Sequence, residues 1–173
     1  WGYNSNVSVE YLKNLLSVYD GLETKHKKGY IVAPTFSIYD AGGDDILDLS
    51  ETDNDIFVNL NPNSFSNVQG GVENMYIAQN VFIENYVGGE VSDQVIGNER
   101  DNIILTSHEL TTSSGGAGIF EIAGVGYALL STTRSDRDVI DLSFGGNNTV
   151  ISGAGQDEIS GGAGNDFIDS GTD

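Results

Sequence analysis

The chain contains no cysteine, which rules out both a disulfide framework and a thiolate metal site. It has two histidines, too few for a three-histidine zinc centre. The His-Glu-x-x-His signature is also missing, and Ser107-His108-Glu109-Leu110 is the nearest approach to it. Basic residues are scarce: 7 Lys and Arg stand against 26 Asp and Glu, for a formal charge of −19. A surface of that sign cannot neutralise phosphates, which excludes nucleic acid as a partner, and an anionic membrane surface is excluded for the same reason. No apolar run approaches the length needed to span a bilayer, so direct membrane insertion is not expected. So much acid could mean a disordered, solvating chain, but a hydrophobic fraction of 38% supplies a core. The carboxylates are then read as facing cations, without which the chain repels itself.

Glycine is abundant and periodic near the end of the chain. Ser152-Gly153-Ala154-Gly155-Gln156-Asp157-Glu158-Ile159 is followed by Gly161-Gly162-Ala163-Gly164-Asn165-Asp166-Phe167-Ile168-Asp169, and Gly146, Asn148 and Val150 hold the same slots one turn earlier. The pattern resembles the Gly-Gly-x-Gly-x-Asp-x-apolar-x nonapeptide of calcium-binding parallel β-rolls. Glycine opens backbone angles closed to other residues and lets a tight turn point its carbonyls inward. Aspartate adds a charged oxygen, suited to Ca²⁺, which takes six to eight oxygen ligands. The apolar residue two places later faces the interior between two sheets. A small extracellular domain without disulfides needs another staple, and several bound Ca²⁺ ions would serve.

Upstream, Val9, Leu12, Leu15, Leu16 and Tyr19 follow helical spacing, with Ser8 as cap and Asp20-Gly21 as stop. Strands are expected at Tyr30–Ala33, Thr35–Tyr39, Ile56–Leu60, Met75–Ile77 and Val81–Ile83. Asp40-Ala41-Gly42-Gly43-Asp44-Asp45-Ile46-Leu47 is a nonapeptide-like turn with Asp45 in the aspartate slot. The coil register returns at Gly88-Gly89 with Asp93 and Val95, and nine residues on with Asn102 and Ile104. It breaks from Leu105 to Arg137, where Phe120 takes the aspartate slot after Gly115-Gly116-Ala117-Gly118, and resumes with Asp138 and Ile140. The expected fold is all-β: an RTX-like parallel β-roll (a β-solenoid) with flanking strands and one short N-terminal helix. It forms a single domain over 1–173, in which 106–137 is an atypical insertion or metal-free roll and 138–173 carries the repeats. Since the chain starts at Trp1 and stops four residues into a new coil, it reads as a monomeric module of a longer protein.

Gly2-Tyr3-Asn4-Ser5-Asn6, Asp40 to Asp45, Asn59-Leu60-Asn61 leading to Ser64-Phe65-Ser66, and Ile83-Glu84-Asn85 before Gly88-Gly89 together resemble the C-terminal β-roll domain of serralysin-type secreted metalloproteases. The likeness covers roughly residues 1–105, and the terminal repeats are similar to the wider RTX group. It implies one calcium held at the positions of Asp40, the Gly42 carbonyl and Asp45, and a neighbour held by the Gly43 carbonyl, Asp45, the Phe82 carbonyl and Glu84. In the roll it implies calcium between the turn of Gly153, Gly155 and Asp157 and the turn of Gly162, Gly164 and Asp166. Asp93 and Asn148, in equivalent slots, complete the expected metal set.

Two functions compete. The first is a calcium-dependent adhesion module of an RTX adhesin, exported by type I secretion to the bacterial cell surface. It would bind a peptide or protein C-terminus, or a host or neighbouring-cell surface protein, through a calcium-coordinated carboxylate, with Tyr127, Arg134 and Arg137 as candidate ligand-binding residues. The second is a non-catalytic, calcium-folded secretion domain of a serralysin-type protease or another secreted hydrolase. Catalysis by the chain itself is not expected. The aspartates are spaced for coils rather than paired in a pocket for acid–base work, and Ser113-Ser114-Gly115 has no base nearby in sequence.

Overall fold

A computed structural model describes residues 35–50, 52, 54–89, 91–106, 109–110, 119–122, 125–128 and 136–171. These contain fifteen short strands and no helix. The expected helix over Val9–Tyr19 and the strand at Tyr30–Ala33 lie outside the described residues. No helix among the described residues is long and apolar enough to cross a membrane.

In chain order the strands are β1 (Phe36–Ile38), β2 (Ile46–Asp48), β3 (Ile56–Asn59), β4 (Ser64–Ser66), β5 (Met75–Ile77), β6 (Asn85–Val87), β7 (Asp93–Ile96) and β8 (Ile103–Leu105). Then follow β9 (Glu109–Leu110), β10 (Ile119–Ile122), β11 (Val125–Ala128), β12 (Val139–Asp141), β13 (Thr149–Ile151), β14 (Glu158–Ser160) and β15 (Phe167–Asp169). Two sheets dominate, and both are parallel throughout. One has five strands in the order β15-β13-β8-β6-β2, the other four in the order β14-β12-β7-β3. Successive repeats feed opposite sheets, so each nonapeptide stacks on the one two repeats away, as Asn148 on Asp166 at an interval of 18 residues.

The apolar slot of each repeat points between the sheets. Leu47, Tyr86, Ile104 and Val150 lie side by side in one sheet, and Val58, Val95 and Ile140 in the other. All are buried and form one cluster. Strands of three or four residues have little pairing of their own, so this column of apolar contacts must supply much of the cohesion.

Two detours leave the roll. Between β3 and β6 the chain forms β4 and β5, which pair antiparallel, while β1 runs parallel to β5. The buried Asn74 amide pins this loop, accepting from Val68 N–H (2.9 Å) and donating to Val68 C=O (3.0 Å). Sequence spacing placed a strand at Val81–Ile83, but the strand is Asn85–Val87. Val81 and Ile83 are core residues of the turn before it. The second detour is an antiparallel sheet in the order β10-β11-β9. Its Ile122 packs with Ile46, Val87 and Leu105 in a second apolar cluster. Those three residues neighbour the inward-facing positions of the five-stranded sheet, so they lie on its outer face.

Candidate metal sites along the edges of the roll

The turns line up along two edges of the roll, one feeding the four-stranded sheet and one feeding the five-stranded sheet. On the first edge, aspartates in the repeat slot form a ladder. Asp138 Oδ1 accepts from Asp93 N–H at 2.8 Å, and Asp157 Oδ1 accepts from Asp138 N–H at 3.0 Å. The second oxygen of each carboxylate takes a hydroxyl: Tyr86 on Asp93 (3.2 Å), Thr106 on Asp138 (2.5 Å) and Ser152 on Asp157 (2.6 Å). Ser152 stands five residues before its aspartate. The matching residue before Asp93 is Gly88, where a Cβ would come within 1.8 Å of Asp93 Oδ2, and Tyr86 supplies the hydroxyl instead.

Charge on this edge is poorly compensated by protein groups. Asp93 and Asp138 are fully buried. Burial, then the neighbouring Asp138, pushes the Asp93 carboxyl up to about 8. Burial also lifts Asp138 to about 7, against the opposing hydrogen bond from Thr106. Burial and the nearby Asp93 drive the Tyr86 hydroxyl far above its ordinary range. Carboxylate oxygens of Asp136, Asp138 and Asp157 lie within 4.8 Å of one another. Gly155 brings the next turn close: a Cβ there would sit 2.4 Å from the Asp136 carbonyl oxygen. Asp93 Oδ1 is buried with no hydrogen-bond partner. An all-oxygen donor set, crowded like charges and an orphaned buried oxygen fit a hard divalent cation.

The second edge begins with the Asp40–Asp45 turn. Asp40 Oδ2 accepts from Gly42 N–H at 2.6 Å, and this part of the turn is exposed. Buried Asp45 stacks under Glu84, whose Oε2 accepts from Asp45 N–H at 3.2 Å. Burial raises the Glu84 carboxyl, and Asp44 adds to the effect. Asp44 in turn accepts from Asn85 Nδ2 at 2.7 Å. Further along, Asp166 Oδ1 accepts from Asn148 N–H at 2.9 Å.

The structure therefore brings Asp45 together with Glu84, Asp93 with Asp138 and Asp157, and Asp166 with Asn148. It does not place the turn of Gly153, Gly155 and Asp157 against that of Gly162, Gly164 and Asp166. Those two turns lie on opposite edges because consecutive repeats feed opposite sheets. The first stacks on Asp136–Asp138, and the second on Gly145–Asn148. Gly43 lies in the exposed first turn, and the Phe82 ring lies 4.5 Å beneath the Arg100 guanidinium. Arg137 pairs with Glu158 at 3.1 Å. Arg134 and the Tyr127 side chain lie outside the described residues. Sequence reading missed Asp136, Tyr86 and Thr106 as site residues. The Asp136-x-Asp138 doublet was a legible signal, whereas the Thr106 hydroxyl comes from across the insertion.

Two sheets of parallel strands, wound alternately and joined by carboxylate-bearing nonapeptide turns, define a parallel β-roll of the repeat class. The profile of the family described as Peptidase M10 serralysin C terminal matches residues 2–172, and the chain belongs to that family. Among curated relatives, it is 36% identical to a serralysin of Proteus mirabilis over 104 residues, which is 60% of this chain and 18% of that protein. Over the same length it is 39% identical to the metallopeptidase AprA of Pseudomonas marginalis, covering 60% of this chain and 19% of the relative. Over 69 residues it is 44% identical to a serralysin of Photorhabdus luminescens, covering 40% and 14% respectively. The matched stretch thus spans less than a fifth of each of these proteins.

Proposed function

We propose that the chain is a calcium-binding, non-catalytic module of a secreted bacterial protein, a domain that folds when it meets extracellular calcium. The observation that carries this is the ladder Asp93–Asp138–Asp157, whose first two members are buried. Burial and crowded like charge raise the Asp93 and Asp138 carboxyls, and Asp136, Asp138 and Asp157 bring carboxylate oxygens within 4.8 Å of one another. Asp136, Asp138 and Asp157 would hold one cation, and Asp45 and Glu84 would serve another on the second edge. The bound ion supplies the positive charge that these side chains lack. Extracellular calcium modules bind at about 10⁻⁴ to 10⁻³ M, so the cytosol would leave the ladder unfilled and the chain ready for export by type I secretion. Relatives bearing the name serralysin support attachment to a secreted protease. The test is urea unfolding of the chain in excess calcium and in chelator. Equal midpoints would overturn the reading.

A second reading, capture of a peptide or protein C-terminus at a surface, rests on the Asp40–Asp44 turn. This turn is largely exposed and adjoins Tyr39, a residue that is itself 81% exposed. A cation there would present an outward coordination position to a ligand carboxylate on an otherwise anion-repelling protein. Arg137, engaged with Glu158, gives this reading no support. Calcium-dependent binding of peptides with free but not amidated C-termini would establish it, and equal binding of both would refute it.

A further inference from the structure

Between Glu84 and Asp166 on the second edge, Asn102 and Asn148 hold the slot that aspartates hold on the first edge, and Asn98 stands four residues before Asn102. Asn98, Asn102 and Asn148 are all buried. Asn148 Oδ1 accepts from Asn102 N–H at 3.0 Å, the same rung-to-rung bond that the aspartates make. Its Nδ2, however, donates among three carbonyl oxygens from two stacked turns: Gly145 (3.2 Å), Gly146 (3.4 Å) and Gly161 (3.2 Å). Asn102 Nδ2 donates to the Glu84 carbonyl (3.0 Å) and to Asn98 Oδ1 (3.1 Å). Asn98 Nδ2 donates to the carbonyls of Leu60 (3.0 Å) and Ile83 (2.8 Å).

Converging carbonyl oxygens are an arrangement that a cation satisfies. Here amide hydrogens satisfy it instead. A carboxylate at the same position would present only acceptors to acceptors and would need a metal to reconcile them. We infer that the Asn98–Asn102–Asn148 amides take the place of cations at these joints. The middle of this edge is then closed to metal, and its coils stay joined when calcium is absent. This rests on the calcium reading of the other turns and adds which joints depend on the ion and which do not. It also gives the roll an internal seed: in chelator the amide-linked joints hold while the carboxylate-linked joints loosen.

Calcium stoichiometry by isothermal titration, on the wild-type chain and on Asn148→Asp and Asn102→Asp, tests the assignment. Each Asp variant is expected to gain one calcium over wild type and to become more chelator-sensitive. An unchanged count in a folded variant overturns the inference. Should both variants fail to fold, hydrogen exchange of the wild type in chelator decides. Exchange at the Asn98 and Asn102 N–H groups is expected to be at least tenfold slower than at the Asp93 and Asp138 N–H groups, and equal rates overturn the inference. A wild type that takes up no calcium refutes the proposed function instead, and the exchange measurement still tests whether the amides hold their joints.

Discussion

Asp138→Asn should stabilise the chain in chelator and lose most or all of that gain in calcium. In the metal-free fold Asp138 accepts from Asp93 N–H and from the Thr106 hydroxyl, with the Asp93, Asp136 and Asp157 carboxylates around it. Its carboxyl sits at about 7 against an ordinary 3.8. A carboxyl raised on folding keeps its proton in the folded state after the unfolded chain has lost it. Stability therefore declines as pH rises from about 4 to about 7, and the full penalty persists above that. At pH 8 a difference of roughly three pH units corresponds to an upper bound of about 4 kcal/mol. Asparagine keeps the oxygen that accepts from Asp93 and removes the charge. In chelator at pH 8 it should recover about 2–4 kcal/mol, or roughly 5–15 °C in Tm for a domain of this size. The gain should shrink toward zero near pH 4. In calcium at a hundredfold excess over Kd, losing the ligand forfeits up to about 2.7 kcal/mol of binding stabilisation, which offsets most or all of that gain. Thermal melts by circular dichroism in both conditions measure the difference. A change in Tm of the same size in chelator and in calcium, or a loss in chelator, would refute the reasoning.

Calcium binding should release protons near pH 7, because burial lifts the Asp138 carboxyl to about 7 and it must lose its proton to serve as a ligand beside Asp136 and Asp157. Titration heats that do not vary with buffer ionisation enthalpy would contradict this. Gly164→Ala should cost about 1–3 kcal/mol or more, since φ is +138° and a Cβ would lie 1.9 Å from the Gly146 carbonyl oxygen. Gly42→Ala, at φ +103° in open space, should cost only about 1 kcal/mol. Urea midpoints compare the two, and equal losses would show that the turn stacking does not matter. Asn74→Ala should cost about 1–3 kcal/mol by stranding Val68 N–H in the interior, while Val68 C=O keeps its bond from Gly71 N–H, and a loss under 1 kcal/mol would show water reaching the N–H.

The roll was legible because its signal repeats. Asp45 and Leu47, Asp93 and Val95, Asn148 and Val150, and Asp157 and Ile159 each put a turn ligand and a core residue at a fixed offset, and each pair marks a strand of the structure. The break after Leu105 was legible as a loss of register, but its outcome was not. That β9–β11 would pair antiparallel, and that Ile122 would cover the outer face of the five-stranded sheet, depends on non-local packing that a nine-residue period does not encode. The same blindness produced the error over neighbouring turns. A period of nine says that Asp157 and Asp166 are equivalent, but only the closure of the coil says that they face opposite ways. The roles of the hydroxyls divide likewise. Ser152 is local to Asp157, while Tyr86 reaches Asp93 by a different geometry and Thr106 reaches Asp138 across the insertion.

In β15 the residue that continues the Leu47–Tyr86–Ile104–Val150 column is Ile168, and it is 43% exposed. Each inward side chain is sheltered by the layers on either side of it, and among the described residues β15 has such a neighbour, β13, on one side only. A layer held on one side loosens before a layer held on both, and each loss would bare the next, like coins slipping from a stack. Any device that steadies this face, whether more of the same winding or another molecule's strand, would slow the loss of every layer behind it.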